Sequence, residues 1–102
     1  PGLASRFGRR LAFDDFEPEE LEVIFMRFVE DTGMGLTAGA TGKLRGFLKA
    51  AYDGRDDSFG NGRFVRNYFE RCLERQADRL APYADLTPEL LSTIEEVDLP
   101  NE

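Results

Sequence analysis

Residues 61–81, NGRFVRNYFERCLERQADRLA, carry the strongest structural signal in the sequence. Apolar side chains recur there three or four positions apart, the spacing that gives an amphipathic helix one buried face. That face consists of Val65, Tyr68, Phe69, Cys72, Leu73 and Leu80, with Phe64 beside it. Charged side chains of opposite sign are spaced for helical ion pairs: Arg66 with Glu70, Arg71 with Glu74, and Arg75 with Asp78. We predict one long helix over these residues, ended by Pro82.

Two further helices are expected upstream. Pro18 suits a first helical position, because its fixed φ and missing N–H cost nothing there. An apolar stripe follows at helical spacing, formed by Leu21, Ile24, Phe25 and Phe28. The stripe predicts a helix over roughly residues 18–32, ended by Gly33 and Gly35.

The second upstream helix should begin after Thr37, a favourable N-cap residue. Its apolar face consists of Ala40, Leu44, Phe47, Leu48 and Ala51. Gly42 and Gly46 form a GxxxG pattern, and the basic residues around it exclude a membrane helix. We therefore expect these glycines to allow close packing against a neighbour.

The two ends of the chain give weaker signals. Thr87 and Pro88 predict the start of a short helix that carries Leu90, Leu91 and Ile94. After Val97 we expect an acidic tail that frays. Residues 10–13 (RLAF) predict a short strand with no partner strand of comparable quality. The predicted fold is therefore all-α, a small bundle of about four helices preceded by a strand remnant.

Composition restricts the function. The chain has 102 residues, 41% of them hydrophobic, and a net charge of −7. This charge argues against nucleic-acid binding, and no apolar run is long enough for a membrane span. The single Cys72 excludes an internal disulfide, and the absence of His makes a zinc site unexpected. The start at Pro1, without an initiator Met, predicts a piece of a longer protein.

Conventional catalytic patterns are missing from the sequence. Without His there is no Ser–His or Cys–His pair, and no GxxxxGK[ST] phosphate loop is present. The acidic loop at residues 53–58 lacks the ligand spacing of an EF-hand calcium loop. We expect no metal site in this chain.

Two arginines are candidates for binding an anion. Arg63 lies in the first turn of the long helix, where acidic residues are usual and a cation is a misfit. A guanidinium beside free backbone N–H groups there would suit a phosphate. The alternative is a surface ion pair with Asp56 or Asp57. Arg6 lies in a basic segment, residues 1–13, which carries three arginines and no acid.

Several segments together resemble a known family. They are GLASRF at 2–7, FDDF at 13–16, PEEL at 18–21, FGNGRFVRN at 59–67, RQADRL at 75–80 and LT at 86–87. In this order they are similar to the C-terminal end of AAA+ ATPases of the CbbX/SpoVK-like group, which includes the EccA ATPases of type VII secretion. FGNGRFVRN is the most specific segment. Gly8, Asp14 and Gly62 depart from the family pattern, and none of these departures removes a charged group.

The resemblance implies roles for particular residues. Arg6 matches the arginine finger, which reaches the γ-phosphate of ATP bound by the neighbouring subunit. Arg63 matches the sensor-2 arginine, which reads the γ-phosphate in its own subunit, with Gly60 and Asn61 beside it as further nucleotide-binding positions. The strand at residues 10–13 would be the last strand of the AAA+ core.

The resemblance thus predicts a tail of the core at residues 1–13 and a helical lid at 14–102. The implied parent is a cytoplasmic ATP hydrolase that uses Mg²⁺ and forms a homo-oligomeric ring, expected to be a hexamer, that remodels or transports protein partners. The chain alone lacks the Walker A and B motifs and is not expected to hydrolyse ATP.

Two other interpretations stay open from the residues alone. One is a helical protein-interaction module without nucleotide binding. The other is a helix-turn-helix DNA-binding domain that uses the arginine-rich long helix. The net charge and the regular pairing of acids and bases along that helix disfavour DNA binding.

Overall fold

Helices dominate the computed structural model of the chain, which describes residues 16–55 and 60–101. Their order is α1 (Pro18–Asp31), α2 (Ala38–Asp53), α3 (Gly62–Leu80) and α4 (Pro88–Ser92). Two short strands, β1 (Gly35–Leu36) and β2 (Thr93–Ile94), and a 3₁₀ turn at Glu96–Asp98 complete the described elements. The predicted small all-α bundle is confirmed. The predicted strand at residues 10–13 and the expected boundary between residues 13 and 14 lie outside the described residues.

The helices begin where the sequence places their signals. Thr37 caps α2, because its hydroxyl oxygen accepts a hydrogen bond from the backbone N–H of Ala40 at 3.1 Å. Thr87 caps α4 in the same way through the N–H of Leu90 at 3.2 Å. Pro18 occupies the first position of α1, as predicted.

The core lies between α1, α2 and α3. Aromatic rings fill its centre: the rings of Phe47 and Tyr68 stack with centroids 3.9 Å apart, and Phe25 meets Phe69 edge-on at 5.4 Å. The predicted buried face of α3 is confirmed, with Phe64 and Leu73 partly buried at its margin. Because this face is buried, the opposite face of α3 is exposed to solvent.

Two local predictions are wrong. Ile94 lies in β2 and not in the short helix, because β2 pairs in parallel with β1 and places Ile94 opposite Leu36. Gly42 and Gly46 are exposed, and a Cβ on either would meet no other atom within 4 Å in the described part of the chain. The close approach is at Gly39, where a Cβ would lie 2.7 Å from Oε1 of Glu96.

The expected fraying after Val97 is also wrong. Asp98 is 1% exposed, Leu99 is fully buried, and the carbonyl of Pro100 accepts a 2.6 Å hydrogen bond from the Tyr68 hydroxyl. The segment is ordered because α3 supplies partners that lie far away in sequence. Within the described ranges, no helix combines the length and the apolar character needed to cross a membrane.

Candidate functional site

The turn before α3 presents the candidate arginine. The backbone N–H of Arg63 donates to the carbonyl of Gly60 at 2.9 Å, and the N–H of Val65 donates to the carbonyl of Asn61 at 3.0 Å. Asn61 has φ 47° and ψ −108°, close to the first central position of a type II′ turn. The chain therefore reverses sharply at Asn61 and enters the helix at once.

Arg63 is exposed, while its neighbour Phe64 anchors the backbone. The ring of Phe64 stacks on that of Phe47 with centroids 5.8 Å apart and an interplanar angle of 6°. Neither an ion pair nor a hydrogen bond is recorded for the Arg63 side chain with residues 16–55 or 60–101. By contrast, Arg66, one turn further along, forms the predicted ion pair with Glu70 at 3.8 Å. The alternative partners of Arg63, Asp56 and Asp57, lie outside the described residues.

The electrostatics of this helix end favour an anion. The first turn of α3 contains no acidic residue, and the side chain of Asn61 does not cap the helix. The helix dipole places partial positive charge here, and the Arg63 guanidinium adds a full positive charge. An anion placed here would interact favourably with both.

Asn61 uses its side chain in another way. Its Oδ1 accepts a hydrogen bond from the backbone N–H of Phe16 at 2.8 Å, across 45 positions of sequence. This contact joins the turn that carries Arg63 to the residues immediately before α1. Periodicity could not reveal it, although the Asn-Gly pair at 61–62 is a recognised turn signal.

Gly60 and Arg6 are the other predicted site residues. Gly60 lies at the turn, where an added Cβ would make only ordinary contacts of 3.6 Å with Arg63 and Phe64, so crowding does not require glycine there. Arg6 lies outside the described residues. In the described parts of the chain, no group of three or more His, Cys, Asp or Glu side chains could hold a metal ion.

An ion pair between a half-buried arginine and a buried carboxylate, missed by the sequence analysis, lies towards the other end of α3. Nε and Nη2 of Arg79 donate to the two carboxylate oxygens of Asp98 at 2.8 and 2.9 Å. Glu95 adds a third charge, with its Oε2 at 3.5 Å from Nη1 of Arg79. The hydrogen bond to Asp98 raises the pKa of Arg79, so the guanidinium stays charged. This cluster holds the C-terminal segment on α3.

The titratable groups of the core are also structural. Burial raises the pKa of the Tyr68 hydroxyl, and it raises the pKa of the Cys72 thiol to about 12. A protonated, enclosed thiol is a poor nucleophile. Neither side chain is therefore placed for surface chemistry.

The fold is a small helical domain whose longest helix, α3, begins with an exposed arginine. A family model described as "AAA lid domain" matches residues 17–102, and the chain belongs to this family.

Three relatives extend this similarity to nearly the whole chain. It is 36% identical over 101 residues to a protein CfxQ homolog of Guillardia theta, covering 97% of this chain and 34% of the relative. It is 34% identical over 100 residues to stage V sporulation protein K of Bacillus subtilis, covering 97% and 31%. Identity to protein CbbX of Cereibacter sphaeroides is 33% over 101 residues, covering 97% and 32%. The chain thus spans about a third of the length of these relatives, and the predicted resemblance to the CbbX/SpoVK-like group is confirmed.

Proposed function

We propose that this chain is the lid of a ring-forming AAA+ ATPase and that Arg63 contacts the γ-phosphate of ATP bound in the same subunit. The observation that carries the proposal is the exposed Arg63 side chain at the start of α3, with no recorded partner among the described residues. The nucleotide would lie between this helix end and a core that supplies the phosphate loop and the Mg²⁺ ligands.

The chemistry of phosphoryl transfer supports a role for a fixed cation. Negative charge spreads over the γ-phosphate oxygens in the transition state, and catalysis depends on positioned positive groups. Arg63 suits this task because its backbone is held by the turn to Gly60 while its side chain faces solvent. A guanidinium can bind two phosphate oxygens at once, which also fixes the orientation of the helix that carries it.

Arg6 is proposed to act in trans on the ATP of the neighbouring subunit. This role rests on the similarity of the segment 2–7 to the arginine-finger segment of the family. In a homo-oligomeric ring, expected to be a hexamer in the cytoplasm, the two arginines would contact two different nucleotides. Each hydrolysis event would then move the lid relative to both cores, and this movement would remodel or transport a protein partner.

The first experiment compares Arg63→Ala with Arg66→Ala in the intact protein. Arg66 is a matched control, because it is exposed on the same helix and already paired with Glu70. We expect Arg63→Ala to lower ATP turnover by about 100-fold, the usual cost of removing one positioned hydrogen-bond donor. Arg66→Ala should stay within about twofold, because exposed ion pairs contribute little. Equal turnover in the two variants would refute the role of Arg63.

The second experiment tests whether Arg6 acts between subunits. Rings made only of Arg6→Ala subunits should hydrolyse ATP slowly. Mixing them with subunits that retain Arg6 but carry a disabled phosphate loop should restore turnover, because the intact arginine reaches the neighbour's nucleotide. Normal hydrolysis by pure Arg6→Ala rings would exclude the role in trans.

A further inference from the structure

We propose that Asn61 is a positioning residue that links the nucleotide-sensing arginine to the point where the chain enters the lid. Its backbone forms the turn that places Arg63, and its side chain holds the backbone N–H of Phe16. Phe16 lies two residues before α1 and close to the expected boundary with the core. This inference rests on the proposed function of Arg63 and adds the route by which its contact reaches the entry to the lid.

The backbone of Asn61 supports a specific role. Asn61 is the only non-glycine residue with positive φ in the described part of the chain. Asparagine tolerates the left-handed helical region, where ψ is near +47°, but here ψ is −108°. Glycine is the usual residue at this position of a type II′ turn, because it has no Cβ. A residue whose backbone conformation is unfavourable for its residue type must be held in it by other contacts.

The side chain gives a second, independent observation. Asparagine at an N-cap ordinarily accepts a hydrogen bond from the second or third helical N–H, which stabilises the helix. Asn61 is the N-cap residue of α3, yet its side chain makes no such bond. Its Oδ1 lies 2.8 Å from the N–H of Phe16 instead. Capping of α3 therefore does not account for the Asn61 side chain, whereas the bond to Phe16 uses its oxygen.

Asn61 therefore forms a short mechanical connection between Arg63 and Phe16. Only one peptide unit separates the Cα of Asn61 from that of Gly62, and the next residue carries the guanidinium. When Arg63 is drawn toward a phosphate, the turn must follow, and the Oδ1 of Asn61 moves with it. The entry to α1 at Phe16 is then displaced or restrained by the same event. If the hydrogen bond between Asn61 and Phe16 were lost, Arg63 would remain at the start of α3, but its position would be less restrained.

The experiment uses three variants of the intact protein: Asn61→Gly, Asn61→Asp and Arg63→Ala. Glycine favours the turn but removes the acceptor, whereas aspartate keeps an oxygen in the position of Oδ1. Asn67→Asp is the control for added charge, because Asn67 is exposed on the same helix. Two quantities are measured: ATP turnover, and hydrogen exchange at the Phe16 amide with and without a non-hydrolysable ATP analogue.

In Asn61→Gly, exchange at Phe16 should rise about fivefold, the factor expected from one net hydrogen bond. The effect of the ATP analogue on that exchange should disappear, and turnover should fall about tenfold because Arg63 is less well placed. Asn61→Asp should keep the Phe16 amide protected. A purely structural Asn61 would give the opposite result, since glycine relieves the turn and leaves turnover at or above the wild-type value.

The outcomes separate the two proposals. Normal turnover in Arg63→Ala overturns the proposed function, and the linking role with it. Impaired Arg63→Ala together with normal turnover in Asn61→Gly overturns only the linking role. Wild-type exchange at Phe16 in Asn61→Gly also overturns the linking role, because the hydrogen bond would then have no effect on the entry segment.

Discussion

Replacing Asp98 by alanine should destabilise the chain more than any change to its exposed ion pairs. The Asp98 side chain is 1% exposed and accepts two hydrogen bonds from Arg79, of 2.8 and 2.9 Å. It also accepts the backbone N–H of Glu95 at 2.9 Å. Alanine would remove all three hydrogen bonds, and the guanidinium would lose its principal counter-charge.

The size of the effect follows from the surroundings of Arg79. Breaking a buried ion pair by removing one partner typically costs about 3–5 kcal/mol, because the remaining charge is left without compensation. The Arg79 side chain is 19% exposed and keeps Glu95 at 3.5 Å, so water and a second carboxylate relieve part of the penalty. The lower end of the range therefore applies. We expect the free energy of unfolding to fall by about 3 kcal/mol.

Urea unfolding of the 102-residue chain measures this change, with Glu70→Ala as the control. The pair between Arg66 and Glu70 spans 3.8 Å and its side chains are 66% and 60% exposed, so its loss should cost less than about 0.5 kcal/mol. Asp98→Asn is a second variant that preserves volume and should lie between the two. A loss below about 1 kcal/mol for Asp98→Ala would refute the argument from burial.

Further predictions concern two core residues, Tyr68 and Cys72. Tyr68→Phe should lower the free energy of unfolding by about 1–2 kcal/mol, because the buried carbonyl of Pro100 loses its 2.6 Å partner; an unchanged urea midpoint would contradict this. The pKa of Cys72 is raised from 9.0 to about 12, so the thiol stays protonated in the folded chain while it ionises in the unfolded one. Stability should therefore fall as the pH rises above about 9, and less steeply in Cys72→Ala. Iodoacetamide should label the native thiol far more slowly than the unfolded one, and equal rates would show that it is not enclosed.

The helices were predictable because their causes are local. The stripe from Val65 to Leu80 buries one face whatever its partner is, and Thr37 caps its helix through the N–H of Ala40, three positions away. Spacing of three or four residues is visible in the sequence itself. These signals were sufficient for the fold class and for the bounds of α1 and α3 to within one residue.

The C-terminal segment was not predictable for the opposite reason. An acidic stretch with one apolar residue looks like a solvated tail when read alone. Asp98 is buried only because Arg79, 19 positions earlier, supplies its counter-charge. The pairing of Leu36 with Ile94 likewise depends on where α2 and α4 place two short strands. No periodicity within either segment contains that information.

Some features of the candidate site could be predicted from the sequence, and others could be seen only in the structure. Arg63 could be singled out from the sequence, because a cation at a helix start opposes the helix dipole and the segment around it resembles a family motif. Its exposure and the geometry of the turn needed the structure. The bond from Asn61 to Phe16 joins residues 45 positions apart, so only the packed chain could reveal it.

Helix α3 carries both of these features, one at each end. Asn61 at its start holds the entry residue Phe16, and Arg79 near its end holds the C-terminal Asp98. The 18 positions between these two residues span about 27 Å of helix. Perturbations that far apart, with no shared partner, ordinarily act independently. Loss of Asp98 should therefore lower the stability of the chain and leave the Phe16 amide protected in the native state, whereas Asn61→Gly should expose that amide and leave the buried ion pair intact. If the nucleotide response changes in Asn61→Gly but not in Asp98→Ala, the change is caused by the turn and is not a consequence of a weaker fold.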